Sequence, residues 1–136
     1  MSFDLEAFRE RMRGRLPDLF GFDLLEVELG RAVIRLELRE EHMAPNEFLH
    51  AGTVVSLADS SCGLGCQASL PEGVTSFTTV ELKSNFLRSA QANDVLRSEA
   101  SIAHGGRTTQ VWDATVTRES DGKQIALFRC TQFLLG

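Results

Sequence analysis

Apolar residues in the first part of the chain recur at helical spacing. Leu5, Phe8, Met12 and Leu16 fall three or four residues apart, with Glu6, Arg9, Glu10 and Arg13 between them. This predicts an amphipathic helix, closed by Gly14 and Pro17. The period then changes to two. Asp23 to Leu29 and Arg31 to Leu38 read as a β-hairpin turning at Gly30, with Ala32, Ile34, Leu36 and Leu38 on one face and Val33, Arg35, Glu37 and Arg39 on the other. Arg39 to Phe48 is polar and carries Pro45 and Asn46, which predicts a loop. From His50 to about Ser69 the sequence HAGTVVSLADSSCGLGCQAS keeps Val54, Leu57, Ala58, Ser61, Cys62 and Gly65 at helical spacing and contains no Lys, Arg or Glu. So many small residues predict a helix packed closely on several sides, although Gly63 and Gly65 weaken its last turn. Beyond Pro71 and Gly73, alternation returns in Ser76 to Leu87, Asp94 to His104, Thr108 to Glu119 and Lys123 to Leu134, with Gly105-Gly106 and Asp121-Gly122 as turns. A helix, two strands, a buried helix and four strands make an α+β fold. A mostly antiparallel sheet wrapped around the central helix is its simplest packing.

At 136 residues the chain is one domain, large enough to bury a core without disulfides or metal. The net charge of −5, with Lys and Arg scattered instead of clustered, disfavours nucleic acid as a partner. No apolar run approaches the ~20 residues that cross a bilayer, so a soluble protein and no membrane partner are expected. Cys62, Cys66 and Cys130 are odd in number and follow no apolar leader, which predicts a reducing, cytoplasmic home. His42, His50 and His104 form no ligand pattern around the cysteines, so these read as small buried hydrophobes and no metal is expected.

Charge singles out one residue. Between Arg39 and Lys83 there is no Lys or Arg, yet Asp59 lies in mid-stretch on the small-residue helix. A buried carboxylate without a cation is costly. It is either hydrogen-bonded to a neighbour such as Ser60 or Ser61, or turned to solvent, or kept for chemistry. Upstream, Asn46, Phe48, His50, Ala51 and Gly52 mark the helix start, where free backbone N–H groups can receive a developing negative charge. Asn46 and His50 equally suit an N-terminal cap. A carboxylate and an oxyanion site are the two parts acyl transfer needs. On one straight helix, however, Gly52 and Asp59 are roughly 10 Å apart along the axis, too far to act on one carbonyl carbon. Two antiparallel helices in a two-fold dimer would bring Asp59 of one copy to the helix start of the other.

HAGTVVSLADSSCGLG followed by SFTTVELKSNFLRSA resembles the hotdog-fold acyl-CoA thioesterases of the phenylacetate-degradation (PaaI-like) and 4-hydroxybenzoyl-CoA group, a resemblance running from Gly21 onward. It implies one hotdog domain over residues 1–136, with about six strands and a helical extension over 1–20. It implies that Asp59 attacks the thioester or activates water. The backbone N–H of Ala51, and that of Gly52, would polarise the thioester oxygen, with Asn46 and His50 orienting the carbonyl or the water. Thr79 falls where relatives hold the water with a hydroxyl, and Arg88, Arg107 and Thr108 fall where they grip the nucleotide or pantetheine. No cofactor is implied, since coenzyme A is part of the substrate. The partners implied are an acyl-CoA and further copies of the chain, as a homodimer with shared sites or a dimer of dimers. Two departures stand out: Ala51 replaces the second residue of the usual His-Gly-Gly, and Asn46 precedes His50 by four residues where several relatives have six.

Two other classes fit less well. Hotdog dehydratases or hydratases pair the helix carboxylate with a His from a Pro- and Gly-rich loop farther upstream, and that loop is missing. A non-catalytic acyl-CoA-binding module leaves Asp59 and Asn46 without purpose. Val54, Phe48, Phe77 and Phe86 are candidates to line a pocket for an aromatic or medium aliphatic acyl group.

Overall fold

The computed structural model describes residues 3–136; the first two residues of the expected 1–20 extension lie outside them. Helix α1 (Leu5–Met12) starts at Asp4, whose side chain accepts the Glu6 N–H, and stops at Arg13. Pro17 does not close it. After Gly14, at φ +72°, a second short helix α2 (Leu16–Phe20) opens with Pro17 in its first turn. There the missing N–H costs no helical hydrogen bond. The same residue type ends one helix or begins the next, and the sequence pattern does not distinguish the two.

Strands β1 (Asp23–Glu28) and β2 (Arg31–Glu37) form the expected hairpin around Gly30, at φ +77°. The stretch expected as loop contains a 3-10 turn, Glu40–His42. Its His42 is buried and works as a staple. The ring's Nδ1 accepts the Arg39 N–H at 2.9 Å, which leaves Nε2 to donate to the Phe20 carbonyl at 2.7 Å. The His42 carbonyl accepts from Thr53 Oγ1 at 2.9 Å and from the His50 N–H at 3.2 Å, tying α2 to the start of the long helix.

That helix, α3 (Ala51–Ala68), is continuous through Gly63 and Gly65. Gly65 is there for packing: a Cβ would stand 2.5 Å from the indole of Trp112, which is fully buried. The helix propensity lost at a glycine, about 1 kcal/mol, is smaller than the 3–5 kcal/mol typical of a buried large aromatic. The sheet-facing side of α3 carries Val54, Leu57, Ala58, Ser61, Cys62, Gly65 and Cys66, all buried. Its opposite stripe, including Val55, Ser56, Asp59, Ser60 and Leu64, is only half-buried in the single chain. Within the single chain α3 is thus enclosed by the sheet on one side, while the stripe opposite, where its small residues predict further close packing, is half-buried.

Strands β3 (Ser76–Phe86), β4 (Val95–Gly105), β5 (Thr109–Arg118) and β6 (Gln124–Leu135) complete a sheet in the order β1-β2-β4-β5-β6-β3, with every neighbouring pair antiparallel. The sheet curls around α3 in the hotdog arrangement. Inward residues of its central strands, Leu96, Ala100, Trp112, Ala114, Val116 and Phe128, form the core with Leu57 and Ala58 of the helix. Strand β3, which follows α3, becomes a sheet edge beside the half-buried stripe. No helix of the described residues is long and apolar enough to cross a membrane.

Candidate active site

Asp59 sits on the half-buried stripe, in a groove of about 250 Å³ between α3, the N-terminal helices and β3; Met12, Ser60, Leu64, Gln67 and Phe77 also line it. Ser60 and Ser61 do not cap the carboxylate. The Ser61 hydroxyl turns toward the sheet, 2.8 Å from both the Ala58 carbonyl and Ser98 Oγ. The partner of Asp59 is instead Thr79 of β3, whose Oγ1 lies 3.4 Å from Oδ1. Burial pushes the Asp59 carboxyl above the ordinary carboxylate range, and the Thr79 hydrogen bond opposes that rise. No cation enters the balance.

Thr79 is held in turn by Gln132, its cross-strand partner on β6, with Oγ1 and Oε1 2.7 Å apart. Gln132 is fully buried. The sequence reading passed it over because a lone Gln on an alternating strand carries no local signal. The alternation Cys130, Gln132, Leu134 does put it on the inward face, and a buried amide there is the one hint available.

The helix start is a second, separate place. His50 is the N-cap of α3, and its Nδ1 accepts the Gly52 N–H at 2.7 Å. That donor is therefore occupied, while the Ala51 N–H has no hydrogen-bond partner among the described residues. Asn46 is exposed, and its Oδ1 accepts the Phe48 N–H at 3.3 Å in a local turn. Beside the helix start, Phe48, Leu49, Ala51, Val54, Phe86 and Arg88 line a depression of about 390 Å³. The apolar residues expected to share one pocket are thus divided: Phe48, Val54 and Phe86 stand here, and Phe77 at Asp59.

Arg88 is exposed and donates to the Gln124 carbonyl at 2.9 Å. Arg107 and Thr108 belong to the β4–β5 turn. That turn lies at the other end of α3, where Gln110 donates to the Ser69 carbonyl at 2.9 Å. One chain therefore brings Asp59 together with Thr79, and Ala51 together with Arg88. It does not bring these pairs to each other or to Arg107.

The sequence matches the Thioesterase superfamily over residues 46–125, more than half of the chain. It is 34% identical over 116 residues to the 1,4-dihydroxy-2-naphthoyl-CoA hydrolase of Listeria monocytogenes, covering 85% of this chain and 92% of that protein. The Escherichia coli PaaI protein from the phenylacetic acid degradation operon superimposes with a TM-score of 0.86 at 24% identity, over 97% of this chain and 92% of that one. The Streptococcus mutans protein smu.793, solved bound to acetyl CoA, superimposes with a TM-score of 0.78 at 28% identity, over 85% of this chain and 90% of that one. With its sheet order, its long helix and these likenesses, the chain belongs to the thioesterase superfamily, as a hotdog-fold thioester hydrolase.

Proposed function

We propose that the protein hydrolyses acyl-CoA thioesters to the free acid and coenzyme A, with Asp59 as nucleophile or general base and the Ala51 N–H as the oxyanion donor. The observation that carries this reading is the Asp59 carboxyl: half-buried, in no ion pair among the described residues although Arg11 lines the same groove, and touching a hydroxyl of the sheet. As a base, it takes a proton from a water while that oxygen adds to the thioester carbon. As a nucleophile, its oxygen adds instead, and water cleaves the resulting anhydride. In either route the carbonyl oxygen gains the negative charge that the Ala51 N–H would meet, and the C–S bond breaks to release the thiol.

Ala51 and Asp59 are eight residues apart on α3, roughly 12 Å along the axis, so each site is assembled from two copies of the chain. Strand β3 supports this reading. It is an eleven-residue sheet edge that carries Thr79, with Val80 59%, Leu82 43% and Phe86 50% exposed, and long apolar edges are rarely left open. Two such edges meeting about a two-fold axis would carry Asp59 of one copy to the helix start of the other. The groove around Met12, Leu64 and Phe77 suits an aryl or medium-chain acyl group, and Arg88 the phosphates of coenzyme A. The free thiols of Cys62, Cys66 and Cys130 fit a reducing compartment such as the cytoplasm.

The test is thiol release from a panel of aryl and alkyl acyl-CoAs by wild type and by Asp59→Asn. The substitution keeps size and removes the charge, and the expected loss is about 10²–10⁴-fold in kcat. Undiminished turnover by the folded variant would overturn the mechanism.

A further inference from the structure

Two buried glutamines lie side by side on the inward face of the sheet. Gln110 of β5 and Gln132 of β6 are cross-strand partners, and Gln132 is in turn the partner of Thr79 on β3. Their amides are held differently. The Trp112 indole can only donate, and it donates to Gln110 Oε1 at 2.7 Å, while Gln110 Nε2 donates to the Ser69 carbonyl at 2.9 Å. Gln110 therefore has one orientation. Gln132 has as neighbours the Thr79 hydroxyl at 2.7 Å and the Cys130 thiol at 3.5 Å, each of which can donate or accept. Nothing fixes which end of the amide faces Thr79.

The Thr79 hydroxyl has a single proton and two oxygens within reach, Gln132 Oε1 at 2.7 Å and Asp59 Oδ1 at 3.4 Å. With Oε1 toward Thr79, the proton goes to the amide, and an ionised Asp59 faces only oxygen lone pairs. With Nε2 toward Thr79, the amide donates to the hydroxyl, the hydroxyl proton is released to the carboxylate, and Oε1 receives the Cys130 S–H. The one charged group, the carboxylate, then receives the hydroxyl proton. When Asp59 is protonated the chain can run the other way, from carboxyl to hydroxyl to amide.

We infer that Gln132 is a positioning residue for the hydrolysis, a buried and reversible amide that turns the Thr79 proton toward the Asp59 carboxylate and back as Asp59 changes protonation state. The inference rests on the reading of Asp59 as the reacting acid, and it assigns Gln132 no contact with substrate.

The experiment is a double-mutant cycle of Gln132→Met and Thr79→Val. It is read by the pH profiles of kcat and kcat/KM on one acyl-CoA and by carboxyl-carbon NMR titration of Asp59 in substrate-free enzyme. Gln132→Met removes the amide N–H that the inference places behind the Thr79 hydroxyl, which weakens that hydroxyl's hydrogen bond to the ionised carboxylate and is expected to move the acid limb and the NMR midpoint upward. A downward shift, as when a competing acceptor of the Thr79 proton is removed, would overturn the inference. The substitution should lower kcat about tenfold while KM holds. In the Thr79→Val background the same change should add nothing, because the relay passes through that hydroxyl. An equal effect with and without Thr79, or an unmoved NMR midpoint, would overturn the inference. If Gln132→Met does not fold, Gln132→Glu replaces it. When ionised that side chain only accepts, so it should draw the Thr79 proton away and move the same midpoint upward. No shift, or one independent of Thr79, again overturns the relay. Failure of the underlying reading looks different: Asp59→Asn would then still turn over, whatever the cycle gave.

Discussion

The two stretches of α3 proposed to form the site differ in how they are held. At mid-helix, Asp59 is wired outward into the sheet through Thr79 and Gln132, so its hydrogen-bond partners come from β3 and β6. At the helix start the backbone is tied to the His42 carbonyl and to Ser89, but the side-chain caps are local. His50 takes the Gly52 N–H and Asn46 takes the Phe48 N–H, each two residues on. The first region is held by a hydrogen bond from the sheet; the second is a capped and exposed helix end whose unspent backbone donor, among the described residues, is the Ala51 N–H. An acid fixed in place and a donor left facing outward, too far apart to cooperate within one chain, are what a site divided between two copies requires.

The sharpest way to break this comparison is to remove the donor and leave the helix intact. Ala51 is the first helical residue, and His50 before it is extended at φ −67°, ψ 130°, so a proline is sterically acceptable at 51. Ala51→Pro deletes the N–H, and we expect a loss of about 10²–10³-fold in kcat with unchanged helical circular dichroism. Mixing it with Asp59→Asn under conditions that exchange subunits then tests the division. In a mixed dimer one site has both defects and the other has neither, so about a quarter of wild-type activity should return at statistical exchange. No recovery despite demonstrated exchange would mean that each chain carries its own site.

A smaller effect separates the charged groups. Arg88 shares the depression with Ala51, whereas Arg107 stands at the other end of α3. Arg88→Ala is expected to raise KM for acyl-CoA about three- to tenfold with kcat nearly unchanged, an effect that weakens with added salt. Arg107→Ala should raise KM less. Steady-state kinetics on full acyl-CoA and on a truncated thioester without the nucleotide would check this, since the truncated substrate should not sense Arg88.

These contrasts also explain what could be read from the chain. Periodicity placed the β1–β2 hairpin at Gly30, the long helix and the four later strands, because alternation and helical spacing are local properties. The lone charge on that helix pointed to Asp59 from composition and helical spacing alone. Pro17 was misread because proline suits a helix's first turn as well as its end. His42 looked like part of a polar loop because its partners, the Phe20 carbonyl and Thr53, come from other elements. Gln132 acquires meaning only from Thr79, 53 residues away in sequence and one strand away in space. The tethering of Gly52 by His50 is a matter of rotamer, which no spacing encodes.

The smallest expected effect concerns stability and distinguishes a desolvated acid from a neutralised one. The folded Asp59 carboxyl is held above its ordinary value, chiefly by burial. For such a group the contribution to stability is fully present below the unfolded pKa, near 3.9, and is lost as pH rises through the folded value. Ionised Asp59 is therefore a cost to the fold at neutral pH, as the proposed catalytic role would require. Asp59→Asn should raise Tm by about 1–3 °C at pH 7, with the gain shrinking on acidification, as the wild-type carboxyl regains its proton. Scanning calorimetry of both proteins from pH 7 to pH 4 reads the difference directly. A variant less stable than wild type at pH 7 would mean that a cation, Arg11 of the same groove or one supplied by a second copy, reaches the carboxylate and offsets its burial.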